Sequence, residues 1–161
     1  MTVEQQPRSV TMSTPTEREL RFERVFNAPR DTVWRTFTDP SLIAEWWGGG
    51  TRVESMDVRV GGTYKFVADR PDSSYAFEGE YLEVDPPRRL VQVSHNGWNG
   101  MTATETLEFE DLDGRTRFTQ TSRFETTELR DSAVQNGAQV GANYQFHQLD
   151  KLLTRLAGSA E

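Results

Sequence analysis

Six strand-length segments follow one another between residues 51 and 125 with only tight turn signals between them. Gly61-Gly62, Arg70 to Ser74, Asp85-Pro86-Pro87, the double Asn-Gly of HNGWNG and Asp113-Gly114 separate TRVESMDVRV, TYKFVAD, YAFEGEYLEV, RLVQVSH, MTATETLEFE and RTRFTQTSRFE. Connections this short join antiparallel neighbours, because a parallel crossover needs a dozen residues or more. Upstream, LRFERVF alternates Leu20, Phe22, Arg24 and Phe26 with Arg21, Glu23 and Val25 and supplies a seventh strand. Such a sheet must bury one face. The only element long enough to cover it begins at about Arg130, where Phe146, Leu149, Leu152, Leu153 and Leu156 fall at helical spacing. The expected fold is therefore α+β: a curved antiparallel sheet of about seven strands wrapped on one long C-terminal helix.

Between the first strand and the meander, Pro29 or Asp31 opens a helix carrying Val33, Trp34 and Phe37 on one side. Asp39 and Pro40 then start a second short helix as N-cap and first helical residue. It runs into Trp46-Trp47-Gly48-Gly49-Gly50. Adjacent residues on a helix point in different directions, so both indoles serve one buried region only where the backbone leaves regular structure. The pair marks a junction, with one ring expected to plug the core and the other to face the mouth of the groove.

A chain of 161 residues with 9 Phe, 4 Trp and 4 Tyr suits one domain with a substantial core. Residues 1–17 are polar and are expected to form a mobile tail, with a single domain over 18–158. Eighteen Lys and Arg against 25 Asp and Glu give a formal net charge of −7, and no basic cluster offsets it, which argues against nucleic acid and anionic membrane surfaces as partners. The absence of cysteine removes disulfides, thiol nucleophiles and thiolate metal sites, and His95 and His147 lie too far apart in sequence to suggest a zinc site. No cofactor motif is present: Gly48-Gly49-Gly50 lacks the Lys and Ser or Thr of a phosphate-cradling loop. Without an apolar targeting segment or membrane span, the expected location is the cytoplasm. The oligomeric state is left open.

Alternation along the strands assigns an inward face: Tyr64, Phe66 and Ala68; Phe77, Gly79 and Tyr81; Val91, Val93 and His95; Met101, Ala103, Glu105, Leu107 and Phe109; Phe118, Gln120, Ser122 and Phe124. Most are apolar, yet His95, Glu105, Gln120 and Ser122 are among them. A dry core rarely holds four polar groups in one region, whereas a ligand cavity does. On the last helix, Gly137, Ala138, Gly141 and Ala142 put small side chains opposite the middle of the sheet. Small residues serve either an open space or close packing, and the stripe alone does not choose.

NAPRDTVWRTFTDPSLIAEWW, MDVRVGGTYKF, FEGEYLEVDPPRRLVQV and the weaker GAQVGANYQFHQLDKLLTRL together resemble the START-like (SRPBCC, helix-grip) proteins, in particular the bacterial branch similar to the C-terminal domain of the heat-shock-protein ATPase activator. The similarity covers about Leu20 to Leu156. It implies an internal hydrophobic cavity between sheet and long helix. The roles it implies range from lipid or polyketide binding through cyclase-type chemistry to chaperone contact. The chain departs from the family pattern at Gly49, where proline is usual, and at Ala138 or Ala142, where a bulky residue is frequent.

The leading expectation is a protein that binds a small, mostly hydrophobic molecule through Trp46, Trp47, Tyr64, Phe66, Phe77, Tyr81, His95, Met101, Glu105, Phe118, Gln120, Gly141 and Tyr144. No residue is assigned as catalytic. A second reading makes the chain a cyclase- or hydrolase-like enzyme in which His95, Glu105 or Tyr81 moves a proton. A third makes it a protein-partner module using the Trp46-Trp47 end and Trp98, the aromatic between two Asn-Gly turns.

Overall fold

Eight strands form one antiparallel sheet: β1 (Thr11–Ser13), β2 (Glu19–Phe26), β3 (Thr51–Met56), β4 (Thr63–Asp69), β5 (Ser74–Asp85), β6 (Arg89–Asn96), β7 (Thr102–Asp111) and β8 (Thr116–Arg123). The sheet order is β1-β2-β8-β7-β6-β5-β4-β3, so consecutive strands pair from β3 to β8 and β2 closes the series against β8. The structure is a computed structural model and describes residues 10–48, 50–97 and 99–159. Trp98 and Gly49, both singled out in the sequence, lie outside the described residues.

Period-2 alternation makes the sheet one-sided. In β2 every second residue is buried, which places Leu20, Phe22, Arg24 and Phe26 on the inner face. The register slips between Val53 and Ser55 against β4 and between Tyr81 and Glu83 against β6. Such irregularities bend the strands that carry them and help the sheet curve.

Two short helices, α1 (Arg30–Thr38) and α2 (Pro40–Trp46), follow β2. The Asp39 carboxylate accepts a bond from the Ser41 N–H at 2.9 Å and caps α2, with Pro40 at its start. The C-terminal region forms α3 (Thr127–Gln135) and α4 (Ala138–Ser159). The expected single helix is thus broken. Gly137 takes φ = +94°, a left-handed conformation that ends α3 and redirects the chain.

The side chains of α4 that meet the sheet and α1–α2 are Ala142, Phe146, Leu149, Leu152 and Leu153, all buried. Phe118 on β8 is the centre of this packing. Its ring lies 4.8 Å from Phe37, 5.2 Å from Phe109, 5.6 Å from Phe146 and 6.0 Å from Phe26, centroid to centroid. Beside it, Arg24 is buried under α4 and pairs with Asp150, its guanidinium 5.6 Å from the Phe26 ring centre. A pair so enclosed is costly to break from one side only.

Three further expectations are corrected. Part of the tail expected over 1–17 belongs to the fold: Val10 is fully buried, its N–H bonds Asn143 Oδ1 at 2.9 Å, its carbonyl accepts from Gln139, and β1 pairs with β2. One short apolar residue docked on α4 suffices to add an eighth strand. On β6 the inward set is Leu90, Gln92 and Ser94, not Val91, Val93 and His95, because Tyr81 pairs with Gln92 and Gln92 with Glu105 across the ladders. Paired residues share a face. Gly141 is exposed with open space around it, so it does not face the sheet.

Two glycines make opposite predictions. A Cβ on Gly79 would lie 2.2 Å from Tyr64 Cε2 and 2.5 Å from the Val93 carbonyl oxygen, whereas one on Gly141 would meet nothing within 4 Å. Chemical denaturation is expected to show Gly79→Ala losing about 2–3 kcal/mol and Gly141→Ala gaining up to about 1 kcal/mol.

Candidate functional site

The tight packing around Phe118 stops short of the β4–β5 end of the sheet, and a cavity of about 260 Å³ opens there. Its walls come from α2, β4, β5, β6, β7, β8 and α4. The two adjacent tryptophans divide the work. Trp46 is buried in the core, donates from its indole N–H to the Thr36 carbonyl at 2.7 Å and packs on Phe37. Trp47 caps the C-terminal end of α2 and turns its ring against Phe66 and Phe77, at 5.1 and 6.1 Å. The Gln145 side chain donates to the Trp47 carbonyl at 2.9 Å and so ties α4 to this wall.

Tyr64, Phe66 and Tyr81 continue the aromatic lining, with ring centres 4.7 and 5.5 Å from Tyr64 to its two neighbours. Gly79 exists for this arrangement, since Tyr64 lies where its side chain would be. Leu90, Leu107 and Phe146 complete the apolar surface.

A carboxylate faces this apolar space. Glu105 on β7 accepts from Gln92 Nε2 at 3.0 Å on one carboxylate oxygen, and from Gln120 Nε2 at 3.2 Å and the Ser122 hydroxyl at 3.3 Å on the other. The Ser94 hydroxyl lies close to it and to the Tyr64 phenol. The ladders explain the convergence: Gln92, Glu105 and Ser122 are direct cross-strand partners on β6, β7 and β8. Burial raises the Glu105 carboxyl above the usual range, and the neutral donors around it only partly oppose this. Burial likewise raises both phenols, Tyr64 further through the Glu105 charge and Tyr81 through Asp57.

Of the residues expected at the site, Trp46, Trp47, Tyr64, Phe66, Phe77, Tyr81, Glu105 and Gln120 line the cavity. His95 borders the rim, but it is exposed and its Nδ1 lies 2.8 Å from the Thr102 hydroxyl. It occupies the strand face opposite to Glu105, so the two do not form an acid–base pair. Phe118 is part of the dry core, and Met101 lies in a separate surface depression with Arg18, Arg123 and Phe124. Tyr144 is 53% exposed, one position away from the helix face that carries Gln145 and Phe146.

Gln92, Ser94 and Gln145 were missed because polar residues on a strand or helix read as solvent-facing. The signal that recovers them is the Glu105 they surround. At the rim, Arg70, Asn96 and Thr51 make a polar edge. Among the described residues no group of three or more His, Asp or Glu is placed to hold a metal ion, and no helix is long and apolar enough to cross a membrane.

A curved antiparallel sheet wrapped on a C-terminal helix around an aromatic cavity defines a START-like, helix-grip domain. The sequence profile described as Activator of Hsp90 ATPase homolog 1-like protein matches residues 27–154, and the chain belongs to that family. Solved structures agree. Protein Ms6760 from Mycobacterium smegmatis superposes with a TM-score of 0.78 at 25% identity, over 89% of this chain and 96% of that one. A protein from Staphylococcus epidermidis gives 0.78 at 26%, over 90% and 94%. One from Rhodobacter sphaeroides gives 0.82 at 21%, over 91% and 99%, a likeness of fold. No match to a curated protein is found by sequence. The family places the chain among ligand-binding or partner-interaction modules.

Raised protonation of Glu105 has a sign that can be checked. A carboxyl raised on folding favours the folded state fully below its unfolded value, and that contribution is lost as pH rises through the folded one. Glu105→Gln is therefore expected to gain stability relative to the unaltered protein progressively as pH rises from 4 to 8. A pH-independent difference in denaturation midpoints would show that burial does not govern this carboxyl.

Proposed function

We infer that the protein binds a small, mostly apolar molecule in the cavity between the sheet and α4. The observation that carries this reading is an aromatic-walled space of about 260 Å³ with one concentrated polar group, the Glu105 cluster. Ligand sites combine such walls with a few placed polar groups, while a packed core leaves voids only about as large as a water molecule. The Gln145 side chain holds the Trp47 backbone, so a ligand that shifts the C-terminal end of α2 also acts on α4. Of the enzymatic reading, Glu105 and Tyr81 line the cavity, while His95 borders its rim from the opposite strand face. The binding reading needs only what the cavity already contains.

Ala68 is buried and lines the same space. Native mass spectrometry of the purified protein is expected to show a noncovalent adduct that dissociates on denaturation, or to acquire one from a panel of apolar compounds. Ala68→Phe, which fills the space, should remain folded and lose the adduct, with affinity reduced by about tenfold or more. A folded Ala68→Phe protein that retains the adduct at full occupancy would place binding elsewhere.

A further inference from the structure

Glu105 faces an apolar cavity, and its three side-chain hydrogen-bond partners, Gln92, Gln120 and Ser122, are neutral. Buried charges are ordinarily paired with an opposite charge, and among the described residues no Lys, Arg or His forms an ion pair with this one. The same cavity is lined by aromatic rings, among them those of Trp47, Tyr64, Phe66, Phe77 and Tyr81, and Tyr64 lies within electrostatic reach of the carboxylate. Aromatic faces carry negative potential and attract cations, most strongly where water is excluded.

We propose that the cavity takes a small organic cation: an amine carried on one or two rings, its ammonium against Glu105 and its rings against the aromatic wall. This names the ligand class of the binding function inferred above and rests on it. Size sets the ring count. An enclosed space of roughly 150 Å³ accepts benzene, so 260 Å³ accommodates two fused rings with a short amine arm and excludes a two-chain lipid.

The carboxylate is open to such a ligand on one side. The bonds from Gln120 and Ser122, at 3.2 and 3.3 Å, are long for their types, and Gln120 lines the cavity. An ammonium donor makes a charge-assisted bond roughly twice as strong as a neutral one, so it displaces the Gln120 amide. The net charge of −7 favours approach of a cation over an anion. Arg70 at the rim is exposed, where water and salt screen its charge.

The test compares three probes of nearly equal shape on the unaltered protein by titration calorimetry: 2-(1-naphthyl)ethylamine, 2-(1-naphthyl)ethanol and 1-naphthylacetate. The amine is expected to bind about tenfold or more tighter than the alcohol, with the acid weakest. In Glu105→Gln, checked for folding by near-ultraviolet circular dichroism, the amine should fall to the level of the alcohol. Alcohol or acid binding as tightly as the amine to the unaltered protein would overturn the cation assignment and leave the cavity a binding site. A folded Glu105→Gln protein that keeps the amine preference would overturn the role of Glu105. Failure of all three probes to bind would overturn the cation proposal and the binding function together.

Discussion

Everything in this fold depends on α4 lying in the concave face of the sheet through Phe146, Leu149 and Leu153. That contact buries rings and branched chains from α1, β2, β7 and β8 around Phe118. Each such side chain is worth about 1.5–3 kcal/mol when removed from water. The grip is strongest at this end. Toward β4 and β5 the helix presents Gln145 in place of a large apolar chain, and the sheet curves away; the cavity is what remains where packing cannot follow.

The electrostatics follow from the same geometry. Three adjacent strands align Gln92, Glu105 and Ser122 in register, and the neighbouring Ser94 and Gln120 close around the carboxylate. A carboxylate satisfied by neutral donors is tolerated but not comfortable, because desolvation acts on its charge and, among the described residues, no cation pairs with it. Structural economy would favour a leucine at this position, since an apolar residue in a well-packed interior is often at least as stabilising as a buried ion. The same reasoning separates Glu105 from Arg24, which meets Asp150 and the Phe26 ring.

The architecture was legible because its signals are redundant. Turn residues, alternation and a helical stripe each specify a meander on a helix, and the Trp46-Trp47 junction follows from local geometry alone. The eighth strand was not legible, because Thr11–Ser13 is short and polar and is held by a single buried residue, Val10. The break at Gly137 was hidden because a glycine within a helical pattern reads equally as a small residue on a packed face. At the site, the aromatic wall on β4 and β5 was visible by alternation. On β6 apolarity misled: Val91 and Val93 lie on the outer face while Gln92 and Ser94 turn inward, since a cavity reverses the usual rule that the more polar face meets water. A phase error of one residue likewise placed His95 on the inner face and put Tyr144 in the place of Gln145.

The central claim is that the space bounded by Trp47, Gln145 and the Glu105 cluster is the binding site. Its most direct test is an NMR titration with an apolar amine, following the side-chain amide signals of Gln92, Gln120 and Gln145 and the indole N–H of Trp47. The account predicts that these four signals shift together and saturate at one equivalent, while amides near the exposed Val140 and Tyr144 stay in place. Shifts confined to the outer face of α3 and α4, with the three side-chain amides unmoved, would contradict it.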